Sequence, residues 1–481
     1  MSTFHIQNFG CRATQADGAA LERQLAERGL TRAASPALAD LVILNSCTVT
    51  AAADQDARAA IRRVRRRNPK ARIVVTGCYA QRAPEEVAAL PGVNCVVGNS
   101  HKHELAEIAL GNAFSSPASF ISVEDLLLGG SASADRPPVS VSDIFVSDIF
   151  AHTELLAAPV FDAPNQRTRP NLKVQDGCDN RCSFCVIPFV RGQSRSLHLE
   201  RILEEVNTLV SSGYREVVIS GINLGRWGRD LSGRPRRHFE DLVRAILDQT
   251  QLEKLRISSV EPMDWSDELI SLAACSLRIA KHAHVPMQSG SDGVLRRMHR
   301  KYRPWHYREK IEKIHAAMPT AAIGADVMVG FPGETDAEFE STLRLVEDLP
   351  FTYLHVFTYS ARPGTPAATM PGQVPAHVAN ERNRVLRELS EKKKSCFMRT
   401  FIGKTLGAIT LGMNSQDAEA CEGTVFPHQA GRTGASFTSA LTDNYLKLRV
   451  RGHHAPNRWL TAQIEGMEEG VFVGSVKPTN C

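Results

Sequence analysis

Six short strand-like runs alternate with helical patterns between residues 167 and 390: NLKV, EVVIS, KLRISSV, AHVPM, AIGADVMV and YLHVF. A strand followed by a helix and then another strand builds a parallel pair, and six such units in succession curl into an open or partial parallel barrel. In that architecture ligands meet the loops at the carboxyl ends of the strands. Here those ends lead, in order, into a cysteine cluster at Cys178, Gly221-Ile222-Asn223, Ser259-Val260-Glu261, Gln288-Ser289-Gly290, Gly330-Phe331-Pro332-Gly333-Glu334 and Ser360-Ala361-Arg362. The expectation is an α/β chain whose central part, residues 166–398, is a (β/α)6 partial barrel.

A chain of 481 residues has room for about three domains, and the flanking segments read as two more. Residues 1–114 alternate short apolar runs (DLVILNSC, ARIVVTGC, VNCVVGN) with amphipathic stretches, the pattern of a small open α/β sheet. Cys11 follows the FHIQNF run, Cys47 ends the LVIL run and Cys78 ends the RIVV run. Carboxyl ends of parallel strands share one edge, so three cysteines remote in sequence can converge there; the plain alternative is three ordinary buried thiols. Residues 115–165 are Ser-, Ala- and Pro-rich, carry the tandem repeat VSDIFVSDIF, and read as a linker or insertion in which the duplication is a functionless slip. The tail, residues 399–475, has β-rich, Gly-punctuated segments (LTDNYLKLRVRG, GVFVGSV) that fit a small β-barrel, serving either RNA binding or packing.

The segment QDGCDNRCSFC places Cys178, Cys182 and Cys185 in C-x3-C-x2-C spacing directly after the first barrel strand. Three thiolates on one short loop can hold three corners of a cubic iron-sulfur cluster, leaving the fourth iron open to a chelating cofactor. Structural zinc would call for a fourth ligand, and His198 is the nearest downstream histidine; a non-catalytic, zinc-containing RNA-binding protein is the reading of a different class. Eleven cysteines without a leader-like N-terminus or a long apolar run point to a cytoplasmic protein with no membrane span, whose thiols bind metal rather than pair. The net charge of +5 decides little. Arg191, Arg195, Arg300, Lys301 and Arg303 are candidate contacts for nucleic-acid phosphates, against the commoner fate of a solvated surface. Cys95, Cys275, Cys396, Cys421 and Cys481 carry no motif.

The cysteine loop resembles the signature of radical-SAM enzymes, with Phe184 in the aromatic position beside the last cysteine. Together with CVIPFVRGQSRS, ISGINLG, RISSVEP, HVPMQSGSDGVLRRMHRKY, DVMVGFPGETDAEFE and HVFTYSARPGTPAA, the chain is similar to the radical-SAM methylthiotransferase family over all but the linker. QDGCDNRCSFC, RKY, YSARPGTPAA and LTDNYLKLRV are most similar to the branch acting on N6-threonylcarbamoyladenosine beside the tRNA anticodon. The resemblance implies two [4Fe-4S] clusters, one on Cys178, Cys182 and Cys185 and an auxiliary one on Cys11, Cys47 and Cys78, with a TRAM-like RNA-binding barrel at the C-terminus. It further implies that S-adenosylmethionine is cleaved to a 5'-deoxyadenosyl radical, that the auxiliary cluster delivers sulfur, and that a second S-adenosylmethionine methylates it. Ser220, Gly221, Ser259, Glu261, Gln288, Gly330 and Gly333, with Glu334 beside them, are then candidate cofactor contacts. The partners implied are tRNA, an electron donor such as a flavodoxin or ferredoxin, and an unspecified sulfur donor. The alternative substrates are isopentenyladenosine in tRNA or a ribosomal protein. Two positions depart from the branch: Thr14 stands where Asn is usual, and Gly18 where Ser or Glu is common.

Overall fold

A computed structural model of the chain describes residues 2–111, 143–152, 155, 168–232, 236–412 and 436–477. They fall into two units, one of Met1–Leu156 with Phe189–Arg191, the other of Ala157–Pro188 with Gly192–Cys481.

The first unit is built on a six-stranded sheet in the order β2-β1-β3-β4-β5-β6, parallel throughout. Its strands are β1 (Thr3–Asn8), β2 (Thr31–Arg32), β3 (Leu41–Ser46), β4 (Arg72–Gly77), β5 (Val93–Val97) and β6 (Asp143–Phe145). Every residue of β3 is buried, as a parallel strand covered on both faces requires. Val42, Leu44, Ile73 and Val75 pack on one face with Ile61 and Val64 of helix α2 (Ala51–Arg67). Leu41, Ile43 and Val74 pack on the other with Leu21 and Leu25 of helix α1 (Arg12–Glu27). The strand order reverses between β1 and β3, the switch point at whose carboxyl edge such sheets take ligands.

Of the segment expected to be linker, Asp143–Phe145 instead extends this sheet and Ile149–Ala151 forms one 3-10 turn. The DIF portions of the two copies therefore adopt different conformations. The first satisfies the open edge of β5, pairing Ile144 with Val96, while in the second Asp148 accepts a hydrogen bond from the Phe150 amide at 2.9 Å. Residues 112–142, Cys421 and Cys481 lie outside the described residues.

In the second unit the six expected strand–helix repeats form β7 (Asn171–Asp176), β9 (Glu216–Gly221), β10 (Lys254–Ile257), β11 (His282–His284), β12 (Ala322–Val329) and β13 (Tyr353–Thr358), with the short β8 (Arg195–Ser196) antiparallel to β7. The sheets β10-β9-β7-β8 and β11-β12-β13 are joined by a Leu255–Ile279 bridge, so the six parallel strands run in chain order around a partial barrel. Alternation sorts its two faces. Leu172, Val217, Leu255, Val285, Val327 and Val356 pack outward on the helices, whereas Gln175, Ser220, Arg256, His284, Asp326 and His355 occupy the opposite, inner face.

Helix Ala376–Arg399 leads into a closed barrel in the order β14-β15-β16-β18-β17, made of β14 (Thr405–Thr410), β15 (Phe437–Thr442), β16 (Lys447–Arg451), β17 (Trp459–Glu468) and β18 (Val471–Val476). Its core of Ala408, Leu448, Val450, Ile464 and Phe472 is closed by Met398 and Phe401. Among the described residues no helix is long and apolar enough to cross a membrane.

Candidate metal centres and their surroundings

In the first unit the register brings the three cysteine positions to one edge. Ser46 pairs with Gly77, so Cys47 and Cys78 are the next residues of adjacent strands, and the Phe9 amide donates to the Asn45 carbonyl at 3.0 Å, bringing Gly10 level with them. A Cβ on Gly10 would lie 2.5 Å from the Cys47 Cβ, and one on Gly77 2.3 Å from the Ser46 carbonyl oxygen. Both glycines have positive φ, which L side chains rarely adopt. Cys11 caps α1 and Cys78 begins the short helix Cys78–Arg82, so two of the thiols stand at helix N-termini.

Burial, reinforced by the neighbouring Cys78 and Cys11, pushes the Cys47 thiol up to about 11, with Arg191 opposing. Cys47 and Cys78 are buried and Cys11 is exposed; crowded thiols become thiolates when they share a metal, whose charge inverts the balance. Two buried cations stand near. The Lys102 Nζ and the Arg191 Nη2 each donate to Asp17 Oδ2 at 3.0 Å, and Lys102 also donates to Asn45 Oδ1 at 3.3 Å. The Asn99 Nδ2 donates to the Cys78 sulfur at 3.6 Å, and the Thr14 hydroxyl lies 3.5 Å from that of Cys11. The two departures thus have local reasons. Thr14 puts a hydroxyl beside a thiol, and a Cβ on Gly18 would lie 2.1 Å from the Asn8 Oδ1 that receives Asn45.

In the second unit β7 ends at Asp176, and Gly177, at φ +73°, turns the chain so tightly that a Cβ would meet the Gln193 carbonyl at 1.9 Å. The Cys178 amide donates to the Gly192 carbonyl at 3.0 Å, and the Cys185 amide to that of Cys182 at 3.1 Å, coiling the three cysteines into one loop. Gln175 was missed by sequence reasoning although it heads the QDGC block. Its amide donates to the carbonyls of Asp176 and Gly177 and to Ser194 Oγ, while its oxygen accepts from the Asn223 amide at 2.7 Å. One buried side chain thereby ties the cysteine loop to the end of β9.

Each of two loop sulfurs receives donors. Cys178 accepts from the Asn180 amide at 3.4 Å and from Asn223 Nδ2 at 3.6 Å, and Cys182 accepts from Arg300 Nη1 at 3.3 Å. Burial, then Cys182 and Cys178, push the Cys185 thiol up to about 12, and burial also raises Cys178. Arg300 was expected among the phosphate-binding cations. It is instead 8% exposed and forks between Cys182 and the Glu261 carboxylate, whose pKa burial raises. Arg191, expected in the same role, is 2% exposed and belongs to the Asp17 network. Lys301 is exposed and Arg195 and Arg303 half-buried.

The other expected cofactor contacts share the carboxyl edge of the partial barrel with this loop. Ser220 is buried, and its Oγ has no hydrogen-bond partner among the described residues; the same holds for Asn223 Oδ1, Gln288 Oε1 and Glu334 Oε1. Buried polar atoms are rarely left so, and at Asn223, whose amide nitrogen reaches the Cys178 sulfur, the free oxygen suits a polar ligand beside the cysteine loop. Gln288 also sits at φ +64°, strain that persists where surrounding structure enforces it. Gly221 packs on Gln175, and Phe184 meets Phe331 edge-on at 6.4 Å. Three of them have contacts of their own. Ser259 hydrogen-bonds His284, Gly330 abuts Ala379 where a Cβ would approach to 2.6 Å, and Gly333 donates its amide to the Gly372 carbonyl, so both glycines serve turns and packing. His198, the candidate fourth zinc ligand, is exposed at the start of helix Leu199–Ser211. Cys95 is buried in β5, whereas Cys275 and Cys396 are exposed.

Residues 3–98 match the model of the uncharacterized protein family UPF0004, and residues 172–346 that of the radical SAM superfamily. The chain is 37% identical over 454 residues, 94% of its own length and 91% of the relative's, to the threonylcarbamoyladenosine tRNA methylthiotransferase MtaB of Bacillus subtilis (strain 168). It is 35% identical over 408 residues, 84% of its length and 85% of the relative's, to the tRNA-2-methylthio-N(6)-dimethylallyladenosine synthase of Novosphingobium aromaticivorans. Among solved structures, the radical S-adenosylmethionine methyltransferase TsrM of Kitasatospora setae, with cobalamin and a [4Fe-4S] cluster bound, superposes with a TM-score of 0.51 at 15% identity, covering 76% of this chain and 77% of that one, a likeness of fold.

Proposed function

The chain belongs to the radical-SAM tRNA methylthiotransferase family, and from that premise we propose that it adds a methylthio group to carbon 2 of N6-threonylcarbamoyladenosine beside the tRNA anticodon. The observation that carries the reading is the loop of Cys178, Cys182 and Cys185 at the carboxyl end of the first barrel strand, braced by Gln175 and ringed by donors to its sulfurs. Its donor set suits a [4Fe-4S] cluster with one iron left for the amino and carboxylate groups of S-adenosylmethionine. When bound, that pair supplies the reductive carbon–sulfur cleavage that an unactivated adenine C–H bond demands.

The residues of the chain hold and orient. Asn180, Asn223 and Arg300 offset charge on the sulfurs, Ser220, Gln288 and Glu334 offer polar atoms to the cofactor, and Phe184 with Phe331 forms an apolar wall. Cys11, Cys47 and Cys78 hold the second cluster, with Lys102 and Arg191 as buried counter-charge. Lys301, Arg195 and Arg303 remain candidates for tRNA phosphates, the C-terminal barrel for tRNA binding, and a flavodoxin or ferredoxin for the electron source; the work is done in the cytoplasm.

Similarity to a dimethylallyladenosine synthase favours, as second reading, the same chemistry on an isopentenylated adenosine. Mass spectrometry of tRNA nucleosides from cells with and without the gene separates the two. Loss of 2-methylthio-threonylcarbamoyladenosine with accumulation of its unthiolated precursor is expected. Loss of the methylthio-isopentenyl nucleoside instead transfers the assignment to the second reading, and an unchanged profile refutes both.

A further inference from the structure

Three adjacent strands of the partial barrel place a second set of metal-type donors on its inner face, apart from the cysteines. His284 ends β11, and Asp326 of β12 is the register partner of His355 of β13. The His284 Nε2 lies 3.4 Å, and the His355 Nδ1 3.2 Å, from the same Asp326 oxygen, and all three donor atoms fall within 4.8 Å of one another. Two ligands about 2.0–2.1 Å from a four-coordinate zinc ion stand about 3.3 Å apart, so the spacing is that of donors sharing one cation.

Two further observations point to a ligand. The His284 side chain is 8% exposed, and its Nε2, aimed at Asp326, makes no hydrogen bond among the described residues. Its other ring nitrogen is held by the Ser259 hydroxyl at 2.6 Å. When Nδ1 donates to that hydroxyl, Nε2 presents a lone pair, the arrangement by which a second hydrogen bond orients a metal-bound imidazole. Tyr353 stacks on His284 with 6.0 Å between ring centroids and lies tilted by 48° against His355 at 5.2 Å.

We propose that His284, Asp326 and His355 form a binding site for one divalent transition-metal cation of the zinc type, oriented by Ser259 and independent of the cysteine-borne clusters and of the substrate assignment. Two imidazoles and one carboxylate are a donor set for zinc or ferrous iron. Three protein ligands leave at least one position for water or another oxygen donor, on the side of His355, which is 62% exposed.

The test uses the full-length chain, anaerobically loaded with both clusters, dialysed against micromolar Zn2+ and then freed of loose metal. The expected result is one zinc per chain with an X-ray absorption edge showing nitrogen and oxygen neighbours and imidazole scattering. Asp326→Ala should weaken zinc binding at least about 100-fold, and Ser259→Ala by about 10- to 100-fold, both with unchanged cluster iron. Zinc absent from the loaded wild type, sulfur in its coordination sphere, or binding unaltered in a folded Asp326→Ala variant would overturn the site. The absorption measurement on wild type needs no variant, so a misfolded mutant leaves the proposal decidable.

Discussion

Gly10, Gly77 and Gly177 each stand immediately before a cysteine and each has positive φ, so at three of the six thiols the chain must turn through a conformation that a side chain would strain. In Gly10→Ala the added methyl meets the Cys47 Cβ at 2.5 Å on top of about 1–3 kcal/mol of backbone strain. Iron and sulfide should fall by about half, the electron paramagnetic signature of the Cys178 loop persisting. Full iron content in this variant would show that Gly10 does not shape the second site. Arg300→Met removes the donor to Cys182 and strands the Glu261 carboxylate, at a cost of about 3–5 kcal/mol. The cluster's reduction potential should also fall, because a hydrogen bond that stabilises its negative charge is gone; an unshifted midpoint in a redox titration would refute that role. The three-cysteine spacing was legible in the sequence. The burial of Arg300 and Arg191 was not, since a side chain's charge does not tell whether a carboxylate distant in sequence will fold against it.

At the scale of elements, local pattern and tertiary context divide the decisions. The apolar runs of the partial barrel formed the six strands expected, because period-two burial against helices is written residue by residue. The DIF portions of the two VSDIF copies did not share a structure. Strand propensity is realised only where a partner edge is free, and β5 offers one. On the C-terminal barrel, Phe437 of β15 is exposed, with the guanidinium groups of Arg449 and Arg451 at 6.0 and 5.7 Å from its ring. This is the aromatic-plus-cation combination on which a nucleobase stacks. Phe437→Ala should weaken tRNA binding by about 1–3 kcal/mol, roughly 5- to 150-fold, with little change in salt slope because no phosphate partner is lost. Filter binding at two salt concentrations decides it, and unaltered affinity would remove Phe437 from the interface.

At the scale of the second unit, a buried ion pair joins its two barrels. The Arg256 Nε donates to Glu216 at 2.7 Å, its Nη1 to the Asp443 carbonyl at 3.2 Å, and its guanidinium lies over the Tyr445 ring. Burial would raise the Glu216 pKa, but Arg256 and Arg169 overcome it and lower the pKa below 4.5. A depressed carboxylate pKa contributes stability above the unfolded-state value, which is lost as pH falls through the folded-state one. Glu216→Gln should thus lower the denaturation midpoint at pH 7, by the equivalent of about 3–5 kcal/mol, and the gap to wild type should narrow below about pH 4.5. A pH-independent gap would contradict the pairing. The sequence by itself determined the α/β class, the six strand–helix repeats, the spacing of Cys178, Cys182 and Cys185 and the final small barrel, because periodicity and short-range spacing are local properties of a chain. Only the tertiary structure decided that Asp143–Phe145 is a strand, that Gln175 braces the cysteine loop, that Arg300 faces a sulfur, and that His284, Asp326 and His355 meet. Those are contacts between residues tens to more than a hundred positions apart, and the strand order and register that create them depend on the whole fold.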